Sequence, residues 1–220
     1  MKKLSIWMWA MVALWLIMIS VFLVLAPDQV PVHFDINGAV DRWGSKYEYL
    51  LLTALGIFTT IMPVYGEKLG LKKVWRENGK VGNFTFVATS VVFMLLFGYL
   101  MWMALDPETL AGGIDQLSMK GGVILLMVLF ILLGNIMPKA RRNSGFGLRI
   151  LWSNYNDTCW QKSQRVSGFA MMVAGVLGLA LCIFLPDTLA LVVPLVLTGV
   201  MLMVSIIASY CIYRKEISKE

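Results

Sequence analysis

The chain contains a single histidine, His33, which lies close in sequence to Asp28, Asp35 and Asp41. Imidazole and carboxylate groups in such proximity can bind a metal ion, exchange protons or hydrogen-bond to a ligand. Asp35 begins a D-x-N-G sequence, which resembles the start of a calcium-binding loop. The bidentate glutamate that completes such a loop is missing, and Asn-Gly also favours a tight turn, because both residues tolerate positive φ. We therefore favour a hairpin or compact loop over a metal site.

The same segment does not favour an enzyme. A hydrolase needs a nucleophile beside a base, and the segment offers only Ser45, with no strained turn sequence around it. Charged groups and a tryptophan in a connecting loop are better suited to recognising a ligand. We predict no catalytic residue and no cofactor. The candidate ligand-binding residues are His33, Asp35, Asn37, Gly38, Asp41, Trp43 and Lys46.

A second polar segment, residues 139–164, is basic and rich in aromatic residues. Arg149, Trp152 and Trp160 on a short amphipathic piece could place their rings toward lipid and the cation toward phosphate, or contact a partner. Gly147 would allow a sharp entry into that piece. The alternative is that these residues only anchor the loop, and the two interpretations are compatible.

The surrounding sequence is that of a membrane protein. Hydrophobic residues make up 59% of the chain, above the roughly 45–50% of soluble domains. Long charge-free apolar stretches without period-two alternation predict helices, because backbone groups in lipid must pair within the segment. We predict one all-α domain, 1–220, with six membrane-spanning helices. Their approximate ranges are 4–27, 48–66, 83–105, 121–138, 165–186 and 188–213, with an outer loop at 27–48 and an inner loop at 139–164.

Basic residues predict the orientation of the bundle. Sixteen of the 19 Lys and Arg residues fall at the termini and in the second and fourth connections, whereas only Arg42, Lys46 and Lys120 fall on the other side. Lys and Arg in short loops remain cytoplasmic, so both termini are expected inside and His33 outside. The net charge of +6 then reflects topology and contact with anionic lipid. We predict no nucleic-acid partner.

The sequence also provides evidence on whether the protein is a transporter. Ion-coupled transporters usually carry Asp, Glu, Lys, Arg or His inside the membrane, and beyond their first residues the six predicted stretches contain none of these. A charge-relay mechanism is therefore disfavoured, whereas a groove for an apolar ligand is not. A small-molecule or lipid transporter or channel, and a membrane enzyme with an outward-facing site, remain the alternative functions.

The two polar segments resemble the signatures of a known family, the SdpI family of bacterial membrane immunity proteins. PDQVPVHFDINGAVDRWGSK is similar to the N-terminal domain of unknown function of that family. The inner segment is similar to its second signature. The matching inner residues are Gly134, Asn135, Asn143, Gly147, Arg149, Trp152, Ser153, Trp160, Lys162, Arg165 and Gly168.

The resemblance implies a multi-pass protein of the bacterial cytoplasmic membrane that protects its cell against a secreted antimicrobial peptide. It also implies toxin peptide and membrane lipids as partners, and in some relatives a cytoplasmic transcriptional regulator through which toxin presence is relayed inward. The chain departs from the family pattern at Gln164, where relatives often carry histidine, and at Ile150-Leu151, where they often have a polar residue and proline.

Overall fold

The computed structural model describes residues 2–35, 40–106, 116–143 and 145–219. Within them, six helices are long and apolar enough to cross a membrane, which confirms the predicted helical fold class. Each spans about 25 Å or more at 1.5 Å per residue, comparable to the ~30 Å hydrocarbon layer. The helices are α1 (Lys2–Leu25), α2 (Tyr49–Tyr65), α3 (Lys72–Leu105), α4 (Gln116–Ile136), α5 (Asp157–Phe184) and α6 (Asp187–Ile217).

Two helices extend well beyond their apolar stretches. Helix α3 begins at Lys72 and α5 at Asp157, although hydropathy places their starts near residues 83 and 165. Polar side chains are compatible with helix outside the lipid, so hydropathy detects only the membrane-buried part of each helix. The link between α2 and α3 is short, Glu67–Leu71, and reverses at Gly70, whose φ is +94°.

The outer loop forms a two-stranded antiparallel sheet, which we call the hairpin. Strand β1 (Gln29–Phe34) pairs with β2 (Val40–Ser45), and the pairing is irregular around His33. A 3-10 turn, Lys46–Glu48, then leads directly into α2. The hairpin follows α1 without a long linker, so it is fixed to the ends of α1 and α2.

An aromatic cluster supports the hairpin from below. Trp15 and Phe22 of α1, Tyr49 of α2 and Phe97 of α3 pack edge-on or tilted, with ring centroids 4.5–6.4 Å apart. Val30 of β1 is fully buried in the same cluster. The side chain of Val30 is therefore part of the hydrophobic core of the helix bundle, and this contact holds the hairpin in one position.

The other half of the bundle is packed through glycines. A Cβ added at Gly134 of α4 would lie 2.6 Å from the carbonyl oxygen of Gly168 on α5, and the reverse distance is the same. Gly175 likewise faces the carbonyl of Met127. Small residues let helix backbones approach closely in lipid, where no hydrophobic effect drives association. Gly134 and Gly168, two residues of the inner signature, thus fix how α4 crosses α5.

Candidate functional site

The hairpin carries a solvent-exposed pair at its tip. His33 Nδ1 lies 2.6 Å from Asp41 Oδ1, and the two side chains are 65% and 45% exposed. Trp43, further along β2, is 46% exposed. Asn37 and Gly38 belong to residues 36–39, which lie outside the described part of the chain. The exposed groups of the hairpin are available to contact a molecule outside the bundle.

Other charged residues near the hairpin are engaged in holding it together. Lys46 Nζ lies 3.2 Å from Asp28 Oδ1 and donates to the carbonyl oxygen of Ala26 at 3.2 Å. Its side chain is only 14% exposed. Arg42 Nη2 donates to Glu48 Oε2 at 3.0 Å and links β2 to the turn before α2. Lys46 therefore fixes the junction of α1, β1 and the turn.

A buried tyrosine joins the hairpin to α2. The hydroxyl of Tyr49 donates to the carbonyl oxygen of Pro31 at 3.1 Å. Pro31 lies in β1 and has no N–H of its own, so its carbonyl is the backbone group available for such an anchor. This bond holds β1 over the first turn of α2, beside the groove described next.

A groove of about 530 Å³ opens beneath the hairpin. Its polar side is formed by His33, Asp35, Arg42 and Glu48, and its remaining wall is largely apolar. The volume lies within the ~300–1,000 Å³ range of small-molecule sites. The groove therefore presents charge at one side and hydrocarbon at the other. Its main apolar lining residues are Leu52, Leu96, Leu100, Met103 and Leu191.

At the opposite end of the bundle, residues 140–143 and 145–156 form a loop that we call the strap. Asn143 Oδ1 accepts from the backbone N–H groups of Gly145 and Phe146, both at 2.7 Å. Gly147 follows with φ +95°, a conformation that favours glycine. Ser153 closes a second turn, since its hydroxyl lies 2.8 Å from the carbonyl oxygen of Leu148.

Buried polar side chains fix the strap to the helices. Trp160 Nε1 of α5 donates to the carbonyl oxygen of Ala140 at 2.7 Å, and Trp160 is fully buried. Asn78 Oδ1 of α3 accepts from the N–H of Arg141 at 2.7 Å. Because unsatisfied backbone groups are costly to bury, these bonds determine where the strap begins. Asn143, Gly147, Ser153 and Trp160 thus have structural roles.

The remaining inner-signature residues lie at the surface of the strap end. Arg149, Lys162 and Arg165 are exposed, as is Asn135 at the end of α4. Lys162 Nζ lies 3.8 Å from Glu216 Oε2 on α6. Trp152 is half-buried, and the centroid of its ring lies 5.2 Å from that of Tyr210.

Sequence comparisons identify both segments. The SdpI/YfhL protein family matches residues 139–211, and the domain of unknown function DUF1648 matches residues 6–57. Residues 139–211 of this chain thus carry the SdpI/YfhL family segment. It is similar to the immunity protein SdpI of Bacillus subtilis (strain 168), with 25% identity over 191 residues that cover 86% of each chain. No solved structure matches the chain significantly.

The SdpI/YfhL relationship confirms the resemblance seen in the sequence. It also establishes a multi-pass protein of the bacterial cytoplasmic membrane, in agreement with the six apolar helices. The DUF1648 match contains most of α1, the hairpin and the first turns of α2, whereas the SdpI/YfhL match contains the strap, α5 and most of α6. Each family segment thus includes the polar loop at one end of the bundle and the helices next to it.

The structure places the described candidate residues of the outer and inner segments in two separate groups. His33, Asp35, Asp41, Trp43 and Lys46 cluster at the hairpin end, and the inner-signature residues cluster at the strap end. Within the described ranges, no group of three or more His, Cys, Asp or Glu side chains could hold a metal ion. Sequence reasoning missed the groove and its residues Arg42, Glu48 and Tyr49. The sequence feature that could have indicated Arg42 and Glu48 is the presence of their charges next to an apolar stretch.

Proposed function

We propose that this protein is a non-enzymatic membrane immunity protein that protects its cell by binding a secreted toxin peptide at the hairpin end. Support comes from similarity to the immunity protein SdpI over 86% of each chain. The observation that carries the choice of site is the groove of about 530 Å³, which combines charged and apolar walls.

The chemistry of the groove suits a membrane-active peptide. Such a peptide presents apolar side chains together with polar backbone groups, which the groove can meet with Leu52 and Leu100 on one side and Arg42 and Glu48 on the other. The volume accommodates a few side chains, so the rest of the peptide would lie along the exposed hairpin. His33, Asp41 and Trp43 are the exposed groups that we assign to that contact.

Protection would follow from mass action. Peptide bound at this surface is withdrawn from the pool that can insert into lipid, so protection rises with the amount of protein relative to its dissociation constant. The proposal requires the hairpin to face the outside of the cell, as the distribution of basic residues predicts.

We further propose that the strap end forms the contact surface for the cytoplasmic transcriptional regulator that the family resemblance implies. Arg149, Lys162 and Arg165 are exposed there, and Leu151 is 92% exposed. An apolar side chain that protrudes among cations is typical of a protein-contact surface. Relay of toxin binding would then require a change that passes from the hairpin to the strap.

A survival experiment tests the proposed function. Sensitive bacteria expressing the protein would be challenged with secreted membrane-active peptide toxins, and the concentration for half survival would be measured. Gly122 lines the groove, and a Cβ there would meet only Leu96 at 3.9 Å, so Gly122→Leu adds a side chain to the groove wall without a clash at Cβ. Gly199→Leu is the matched control, because nothing lies within 4 Å of its Cβ position.

The two variants should differ sharply. Gly122→Leu should lower the tolerated concentration about tenfold, whereas Gly199→Leu should stay within about twofold of the wild type. Absence of protection by the wild-type protein against any such peptide would exclude the immunity role. Equal protection by both variants would exclude the groove as the binding site.

A further inference from the structure

A second cavity, of about 370 Å³, lies at the strap end. Helices α3 to α6 form its sides and strap residues Gly145 to Leu148 form part of its wall. It is separate from the groove beneath the hairpin and shares no lining residue with it. The lining is mostly apolar and flexible. Its main apolar side chains are Leu133, Ile136, Phe146, Met171, Met201 and Leu202.

One polar group in this lining is unusual. Ser167 of α5 is 4% exposed, and within the described residues its hydroxyl oxygen has no hydrogen-bond partner. Several other hydroxyl groups in the helices donate to the carbonyl oxygen four residues earlier, as Thr53, Thr198 and Ser205 do at 2.8–3.0 Å. Ser205 also lines the cavity but is satisfied in this way.

A buried hydroxyl without a partner destabilises the folded protein, so a group that hydrogen-bonds to Ser167 would bind favourably. A water molecule needs two to four polar partners, which a mostly apolar lining provides poorly. An apolar chain that carries a hydrogen-bond acceptor meets both requirements. Its apolar part would contact the methionine and leucine side chains, and its acceptor would meet Ser167.

The depth of Ser167 indicates where such a molecule comes from. Arg165 is the last charged residue before the apolar part of α5, and Ser167 follows it by two residues. This level corresponds to the boundary between headgroups and hydrocarbon, where the ester carbonyl groups of phospholipids lie. Arg149, on the strap just after the cavity wall, is an exposed cation that can meet a phosphate.

We propose that the cavity at the strap end binds one acyl chain of a phospholipid from the adjacent leaflet, with the Ser167 hydroxyl donating to the acyl ester carbonyl. Because strap residues form part of the cavity wall, a bound lipid would stabilise the strap. This site is independent of peptide binding at the hairpin end.

Photo-cross-linking of the full-length protein in bilayer nanodiscs tests the proposal. The probe is a phosphatidylglycerol with a diazirine in one acyl chain, and a diazirine fatty acid serves as a second arm. Cross-linked residues would be located by mass spectrometry. Wild-type protein should be labelled at Met171 or Met201 by the phospholipid. Val176 on α5 is 55% exposed, so its labelling by surrounding lipid provides an internal reference.

Variants of Ser167 give the decisive comparison. Ser167→Ala should reduce cavity labelling about threefold to tenfold, the effect of one lost hydrogen bond. Ser167→Phe fills the cavity and should reduce it further, with Leu202→Trp as the blocking variant if the phenylalanine prevents folding. Thr198→Val removes a hydroxyl that bonds to its own helix and should leave labelling unchanged.

Three results would overturn the proposal. One is labelling confined to lipid-facing positions such as Val176. Another is cavity labelling that is equal in wild type and in the blocking variants. The last is labelling of the cavity by the fatty acid probe alone, which would assign the site to a free fatty acid.

Discussion

The side-chain amide of Gln164 is bonded to both backbone groups of Leu148. The N–H of Leu148 donates to Gln164 Oε1 at 2.8 Å, and Gln164 Nε2 donates to the carbonyl oxygen of Leu148 at 2.9 Å. Gln164 is fully buried on α5. Its amide group provides the two hydrogen bonds that a neighbouring strand would otherwise give to the backbone of Leu148. Gly147 packs directly against this amide, and a side chain there would collide with it.

Gly147→Ala should therefore destabilise the protein by more than backbone strain alone. Both Gly147 and Gly70 have φ near +95°, and alanine in that region costs about 1–2 kcal/mol. Only Gly147 would also displace Gln164, because nothing lies within 4 Å of the Cβ position at Gly70. Thermal unfolding in micelles should thus show a larger loss for Gly147→Ala than for Gly70→Ala. Equal losses would show that the amide contact contributes little.

Tyr49→Phe should loosen the hairpin without unfolding the bundle. The substitution removes the hydrogen bond to the carbonyl oxygen of Pro31, which is worth about 1 kcal/mol. Hydrogen exchange of the amides in β1 and β2 should become faster, while exchange in α5 stays unchanged. Tyr47→Phe is the control, because Tyr47 is 60% exposed. Unchanged hairpin exchange in Tyr49→Phe would show that the aromatic packing alone holds β1.

His33→Ala and Asp41→Ala should separate stability from protection. The pair is largely exposed, and such pairs contribute about 0–1 kcal/mol. Unfolding temperatures should therefore remain close to that of the wild type. Survival under toxin challenge should fall in both variants if these groups contact the peptide. A fall in survival that tracks a fall in stability would instead assign them a structural role.

Cysteine labelling can establish the orientation of the bundle. The three native cysteines, Cys159, Cys182 and Cys211, would be replaced by serine, and single cysteines introduced at Trp43 and at Leu151. Both positions are exposed, at opposite ends of the bundle. A membrane-impermeant maleimide should label position 43 in intact cells and position 151 only after permeabilisation. The reverse pattern would place the hairpin inside the cell.

Much of the fold was predictable from the sequence, because membrane-spanning helices follow from the length of apolar stretches. The strand pairing of the hairpin does not follow from the sequence, since turn residues such as Asn37 and Gly38 suit several loop forms. Lys46 illustrates a different limit. Its position in a polar loop predicts ligand binding and gives no sign of its ion pair with Asp28 or its bond to Ala26, because these contacts depend on how α1 ends.

The groove could not be predicted from the sequence. Its apolar wall combines Leu52, Leu100 and Leu191 from three helices, and each looks like any lipid-facing leucine when considered alone. Only the packing of the helices brings them beneath the charged hairpin. At the strap end, by contrast, the interpretation of Gly147 and Trp160 as loop anchors agrees with the close approach of Gly147 to Gln164 and with the buried hydrogen bond of Trp160.

The most direct test of peptide binding is site-specific photo-cross-linking in living cells. A photoreactive amino acid would replace Leu100, which lines the groove, or Leu95, which lies on the same helix and is 55% exposed. Cells would receive the toxin peptide against which the protein gives survival. A covalent adduct is expected from position 100 and not from position 95, and Gly122→Leu should abolish it. No adduct at position 100, or equal yields from both positions, would contradict binding in the groove.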